Sequence, residues 1–364
     1  MDRTDSPVTV RAVLEALQRI APAELALDRD PTGLLIGDPD APVRSLVAAL
    51  DVTPAAVETA KATGAGLIVA HHPLIYHPLK TLRADGPPPG GIVLDCIRAG
   101  IAVACAHTCW DVVDGGVNDV LAGLLGIEKT RPLRTTWRES LVKVTVYVPV
   151  PYRNAVLNAM AAAGAGAIGA YDRCSFRTAG IGTFRPLPGA NPFLGQIGRT
   201  EEVAEERLEM IAPESRFGSI VAAMTSAHPY EEVAYEVYPL RNAHREAGLG
   251  RIGTLTEPVS GAAFARRIRE ALNFDAVRQA GPLPETVRTV AVCGGAGAEL
   301  MHEAIAGGAD AFVTSDVRHH EFVDAAARGF WLIDAGHAAT ETPGARELGR
   351  RLGEAVGLPV TFAK

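Results

Sequence analysis

Short apolar runs that stop abruptly at polar residues, separated by helical stretches, constrain this chain more than any other feature. Residues 45–50 read SLVAAL, residues 66–70 read GLIVA and residues 101–107 read IAVACAH, with the helical DVTPAAVETAKATG between the first two. Apolar runs without alternation mark strands buried on both faces, and such strands belong to parallel sheets covered by helices. Flanking segments agree with that reading. Val10, Val13, Leu14 and Leu17 recur at helical spacing in VRAVLEALQRI, CIRAG closes a helix at Gly100, and GGVNDVLAGLLG predicts another that stops at Gly126.

From about Ser140 the texture changes. VKVTVYVPV alternates with a two-residue period, RNAVLNAMAAAG is helical, and GIGTF and GQIGRT read as short Gly-bounded strands. FGSIVAAMTSAHP is helical again and EEVAYEVYPL alternates, so the order is β-α-β-β-α-β, the ferredoxin-like pattern. After Gly250 the parallel texture returns, with TVAVCGGAGAEL as strand, Gly-rich turn and helix start, and DAFVTSD and FWLIDAGH as further strands. The predicted class is α/β, with the middle unit either one domain of three in series or an insertion into one split domain.

Composition narrows the function classes. The 364 residues are 48% hydrophobic and 21% charged, as in a globular protein. A net charge of −7 with scattered Lys and Arg gives no basis for binding nucleic acid or an anionic membrane surface. No run reaches the ~18 apolar residues of a membrane span, and MDRTDSPVTV lacks the pattern of a signal peptide, so a cytoplasmic location is expected. Five cysteines without a CxxC pair predict buried free thiols, not a disulfide framework or a cysteine zinc site.

The histidines carry the chemistry. His71 and His72, His107, His319 and His320, and His337 all fall at or just past the carboxyl end of a predicted strand, the edge where parallel α/β sheets bind ligands. Asp111, Asp316, Glu321 and Glu341 stand among them. Imidazole and carboxylate without thiolate suit zinc, iron, manganese and similar divalent ions. So many ligands at one edge suggest two metals, roughly 3.5 to 4 Å apart, bridged by Asp111 or Glu341. Pro73 ends its strand, which lets both neighbouring imidazoles reach one pocket. His337 and Glu341 are one helical turn apart, although Pro343 and Gly344 imply that any helix there is only beginning. His228 is ambiguous, and His77, His244 and His302 read as surface or packing residues. Gly294, Gly295 and Gly297, between strand and helix, either offer N–H groups to a phosphate or form a tight turn.

In order along the chain, GLLIGDPDAPVRSLVAALDVT, VAHHPLIYHPLK, AHTCWDVVDGGVNDVLA, CGGAGAEL, SDVRHHEF and IDAGHAATE resemble the motifs of the NIF-three-like dinuclear metal-centre family, whose members are also called GTP cyclohydrolase 1 type 2 homologues. The resemblance implies that His71, His72, Asp111, His337 and Glu341 hold two divalent metals, with His107 and His320 nearby. The central segment looks like the PII-like or CutA-like module that longer members insert. Ligands from the two ends can meet only if those ends fold together, so residues 1–130 plus 251–364 form the core and residues 131–250 the insert. A toroidal homohexamer is also implied. Two departures stand out, Arg29-Asp30-Pro31 where the family has Trp-Asp-Asn and Ser315 where it has Gly, and neither falls on an implied ligand.

The function expected from these readings is metal-dependent hydrolysis of a nucleotide-like or phosphorylated small molecule, with His320 or His319 passing protons. The rival is a non-catalytic protein for metal binding or trafficking, or a regulatory assembly.

Overall fold

A computed structural model describes residues 7–86, 88–242 and 245–363, so His244 lies outside the described residues. The chain divides into two compact units, Met1–Trp137 with Ala247–Lys364, and Arg138–Glu246. In chain order the first runs α1 (Val10–Ile20), β1 (Gly33–Ile36), β2 (Leu46–Ala49), α2 (Pro54–Thr63), β3 (Leu67–Ala70), α3 (Gly90–Ala99), β4 (Ala102–Cys105), α4 (Thr108–Val112), α5 (Val117–Leu124) and β5 (Ile127–Arg138). The second holds β6 (Leu141–Pro149), α6 (Arg153–Ala162), β7 (Ser175–Phe184), β8 (Glu201–Pro213), α7 (Phe217–Ala227) and β9 (Tyr235–Leu240). The first resumes with β10 (Glu246–Val259), α8 (Gly261–Leu272), β11 (Arg278–Ala280), β12 (Val287–Ala296) and α9 (Met301–Ala306). It closes with β13 (Ala311–Ser315), α10 (His319–Ala327), β14 (Trp331–Asp334), α11 (His337–Val356) and β15 (Val360–Phe362).

The first unit contains a sheet of order β1-β4-β3-β2-β15 and another of order β11-β14-β13-β12-β10-β5. β15, β2, β3 and β4 run parallel, as do β12, β13 and β14, while β1, β10 and β11 add antiparallel neighbours. Every residue of β2, β3 and β4 is buried, which is why their sequences show no alternation. Local signals start and stop the helices between them. Thr9 and Thr53 cap α1 and α2 through their hydroxyls, and Gly64 and Gly100 end α2 and α3 in the left-handed conformation. The result places the carboxyl ends of β3, β4 and β14 just before His71, His107 and His337.

α11 is only beginning at His337, as Pro343 and Gly344 implied, and runs 20 residues, past the proline. Pro343 sits in its second turn, where the lost backbone bond is offset by packing on β2 and β15 of one sheet and β12 and β13 of the other. Small residues permit that approach. A Cβ on Gly349 would lie 2.5 Å from the Ala48 Cβ, and one on Gly344 2.8 Å from the Val117 side chain. Gly349→Val should therefore destabilise the unit by at least about 1–3 kcal/mol, read as a lower urea midpoint, whereas an unchanged midpoint would mean that α11 can move away without cost.

In the second unit an antiparallel sheet of order β7-β8-β6-β9 carries α6 and α7 on one face, the ferredoxin-like arrangement. Val144, Val146 and Val148 of β6 pack there with Met160, Leu208 and Met224. GQIGRT is not a strand. Gly195 and Gly198 take positive φ, 88° and 82°, so residues 195–200 turn, and β8 begins at Glu201. β5, a polar 12-residue strand, was not foreseen, because its sequence has neither an apolar run nor clean alternation. All five cysteines are free and only Cys174 is not fully buried. Among the described residues, no helix is long and apolar enough to cross a membrane.

Candidate metal centre

Beyond the last residue of β3 the backbone keeps bonding to the end of β2, His71 N–H to Ala49 O at 3.1 Å and His72 N–H to Leu50 O at 2.9 Å, before Pro73 turns the chain away. His71 is wholly buried, and its Nδ1–H donates to the Ala106 carbonyl at 3.0 Å, because a carbonyl can only accept. That fixes Nε2 as the free nitrogen. It points to Asp111 Oδ1 at 3.5 Å and Glu341 Oε1 at 3.8 Å.

The other rings are held in the same way. His72 Nδ1–H donates to Asp51 at 2.8 Å and His337 Nδ1–H to Asp316 at 2.6 Å. Their Nε2 atoms each lie 2.9 Å from Glu341 Oε2 and 3.3 Å from one another. His107 Nδ1–H donates to Asp30 at 2.7 Å. Each imidazole is thus oriented through one nitrogen, and outer partners of this kind fix tautomer and ring direction in metal sites.

Three groups bring their ligand atoms within 4.8 Å of one another: His71 with His72 and His107, His72 with His337 and Glu341, and His71 with Asp111 and Glu341. Asp111 arrives on the short α4, which Trp110 ties to α11 by donating Nε1–H to the Gly344 carbonyl at 3.0 Å. Glu341 stands one turn into α11 below His337, and Gly295 makes room for it. A Cβ at Gly295 would fall 2.0 Å from Glu341 Oε1.

Electrostatics suits a cation. Burial pushes the Asp111 carboxyl up to about 6, against the pull of His71. Burial disfavours charge on His72, yet Asp51 and Glu341 outweigh it and raise the ring to about 10. Glu341, opposed by burial and helped by Asp316, raises His337 to about 9. Burial would raise Glu341, but hydrogen bonds from the His337 and His72 rings hold its carboxyl far below the usual range. His71 Nε2 and Asp111 Oδ1 are buried without a hydrogen-bond partner, an arrangement that costs free energy unless something binds both. A divalent metal accepts a nitrogen and a carboxylate oxygen at once, so the donor set fits one.

Not every candidate joins these groups. His319 and His320 open α10 on the exposed surface, and among the described residues neither is in any of the three groups. Asp316, at a left-handed φ of 53°, turns the chain so that its own carboxylate meets His337 while the histidine pair faces solvent. Gly294, Gly295 and Gly297 do not cradle a phosphate. Their N–H groups donate to Asn118, Thr340 and Thr314, and β12 continues through the first two. Of Arg29-Asp30-Pro31, Asp30, the residue shared with Trp-Asp-Asn, touches the centre: its side chain is nearly buried and also accepts from the Thr108 N–H and hydroxyl. Burial would raise Asp30, but the bonds from His107 and Thr108 keep it below the ordinary range.

His228 packs inside the second unit, where Nε2–H donates to the Tyr147 carbonyl at 3.0 Å. Asp51 was missed entirely, although an acidic residue just past a fully buried strand is the signal that would have found it. Asp51→Asn should weaken metal affinity about 10–100-fold with the fold intact, measured by competition with a chelator, and an unchanged affinity would mean that His72 needs no such support.

The family model described as Duf34/NIF3 (NGG1p interacting factor 3) matches residues 8–364. A Bacillus subtilis protein named GTP cyclohydrolase 1 type 2 homolog is 40% identical over 332 residues, covering 91% of this chain and 89% of its own. A Mycobacterium tuberculosis protein of the same name is 40% identical over 340 residues, covering 92% and 89%. Among solved structures, a Bacillus cereus protein related to NIF3 superposes with a TM-score of 0.88 at 40% identity, over 98% of this chain and 96% of that one. A Staphylococcus aureus protein gives 0.81 at 26% identity, over 98% and 97%.

Proposed function

The chain belongs to the Duf34/NIF3 family, and from that footing we propose that it holds two divalent metals and uses them to hydrolyse a nucleotide-like or phosphorylated small molecule. One observation carries the reading: Glu341 stands at the junction of two ligand groups, with Oε1 toward His71 and Oε2 toward His72 and His337. In it, His71 and Asp111 would hold one metal and His72 and His337 the other, with Glu341 reaching both groups. Bound there, the metals would supply Lewis acidity for activating water and polarising the bond to be broken.

The chain's own residues do the rest. With His319 and His320 outside the cluster, His107 is the imidazole left to hold and return a proton, and Asp30 positions it. The relatives' name makes GTP the first substrate to try. A cytoplasmic homohexamer completes the reading. Its test is elemental analysis of the freshly purified protein, joined to a turnover screen of GTP and other nucleotides and phosphoesters. Two metals per chain with turnover that Asp111→Asn abolishes would support it. No turnover in any substrate, with metal content unmoved by Asp111→Asn, would defeat it.

A pH dependence follows from the same ligands. His72 and His337 must shed their Nε2 protons to bind a metal, and their raised pKa values, about 10 and about 9, mean that protons compete throughout the neutral range. Apparent affinity should therefore rise steadily with pH from about 6 to 9, with proton release on loading. Calorimetry in buffers of different ionisation enthalpy measures both, and a flat profile would exclude the two rings as ligands.

A further inference from the structure

The second unit contains a cavity of about 750 Å³ that the metal chemistry does not use. Val144, Val146 and Val148 face α6 and α7, so Tyr147 on the same strand faces the other way, paired through Arg207 with Thr178 of β7. The cavity lies on that uncovered face, closed over by residues 185–194 and by Phe184, Phe193 and Tyr230. Its lining is mainly apolar, yet one carboxylate is sunk into it. Glu205 is only 8% exposed.

Glu205 Oε1 accepts from the Tyr230 hydroxyl at 2.9 Å, while among the described residues no protein donor reaches Oε2. Gly182 clears the space for that oxygen, since a Cβ there would sit 2.1 Å from it. Glu205 lines the cavity, so a bound cation or donor can answer that oxygen. Arg207, two residues along the same face, turns instead to Glu209 at 3.0 Å. Glu205, Glu231 and Glu232 outnumber Arg185 and Arg207 in the lining. Rings stand beside the carboxylate, with Tyr230 centred 5.8 Å from Phe184 and 6.3 Å from Phe193.

Aromatic faces next to a carboxylate in an apolar recess recognise organic cations. We propose that this cavity binds a small organic cation, an amine or quaternary ammonium on an apolar body, with the charged nitrogen at Glu205 Oε2. This stands independently of the metal-dependent reading.

The test uses the full metal-loaded protein and four probes of one shape: phenethylamine, its trimethylammonium analogue, neutral 2-phenylethanol and anionic phenylacetate. Titration by calorimetry or ligand-observed NMR should show the two cations binding saturably and the neutral and anionic probes at least about tenfold more weakly. Glu205→Gln should cost the cations about tenfold or more, and Gly182→Val, which occupies the carboxylate's place, should abolish binding, both with metal content unchanged. Binding of 2-phenylethanol as tight as that of the cations, undiminished binding by Glu205→Gln, or no binding by any probe would each overturn the proposal. The comparison among probes uses the unaltered chain, so it stands even if a variant fails to fold.

Discussion

Glu341→Ala is expected to strip both halves of the metal centre at once, lowering affinity by more than the roughly 100-fold that losing an outer partner can cause. The reason is geometric. One oxygen of Glu341 lies 2.9 Å from the free nitrogens of both His72 and His337, and the other faces His71 at 3.8 Å. Among the described residues, no other side chain belongs to both groups that contain a carboxylate. Asp111→Asn, by contrast, should weaken only the group it shares with His71. Glu341→Gln keeps the size of the side chain beside Gly295 and removes only its charge, so a fall in affinity there separates charge from packing. Elemental analysis and chelator competition read all three variants. Retention of one metal at undiminished affinity in Glu341→Ala would show that the carboxylate is not shared.

The largest effect on stability is expected at Arg251, which belongs to none of the ligand groups. Its guanidinium is 1% exposed and forms bonds to Asp119 at 2.9 and 2.8 Å, to the Gly248 and Gly250 carbonyls, and to the Val113 carbonyl at 3.1 Å. Arg251→Ala leaves those carbonyls without the guanidinium and half-buried Asp119 with only the Gly115 N–H and Thr130 hydroxyl, a loss on the order of 3 kcal/mol. The melting temperature should fall on the order of 10 °C. Arg251→Lys should recover little, because one ammonium cannot span a fork of donors. The residues that Arg251 clamps follow directly on Asp111, so thermal melts with and without added metal should also show a smaller metal-induced gain in the variant. A melting temperature within a degree or two of the unaltered protein would mean that the clamp is redundant.

Much of this architecture was legible because burial leaves a strong imprint. β2, β3 and β4 are buried on both faces, so their sequences are uninterrupted apolar runs, and their polar ends mark the sheet edge at which His71, His72 and His107 stand. Partners contributed by tertiary structure left no such imprint. Asp51 and Asp30 are single acidic residues in turns, and only the folded chain places them 21 and 77 positions from the imidazoles they orient. His319 and His320 misled for a related reason. They share the spacing of His71 and His72, but a left-handed turn at Asp316 precedes them, and a helix rather than a strand end presents them. Pro343 pointed to a helix only beginning there, as α11 does at His337, and packing between two sheets carries the helix on past it. The glycines near 295 read as a phosphate loop or a tight turn, and neither reading named the group that comes close. What approaches is the Glu341 carboxylate.

α11 carries the last ligands, and their distance along the chain sets an order of events in the cell. His72 and His337 meet across 265 positions. At translation rates of about 5–20 residues per second, the first histidine waits on the order of tens of seconds for the second to be synthesised. Until α11 has emerged and docked, a nascent chain offers only His71, His72, His107 and Asp111, a half-site with no bridging carboxylate. On the proposed two-metal reading, the two groups that share Glu341 are therefore completed only after α11 is in place.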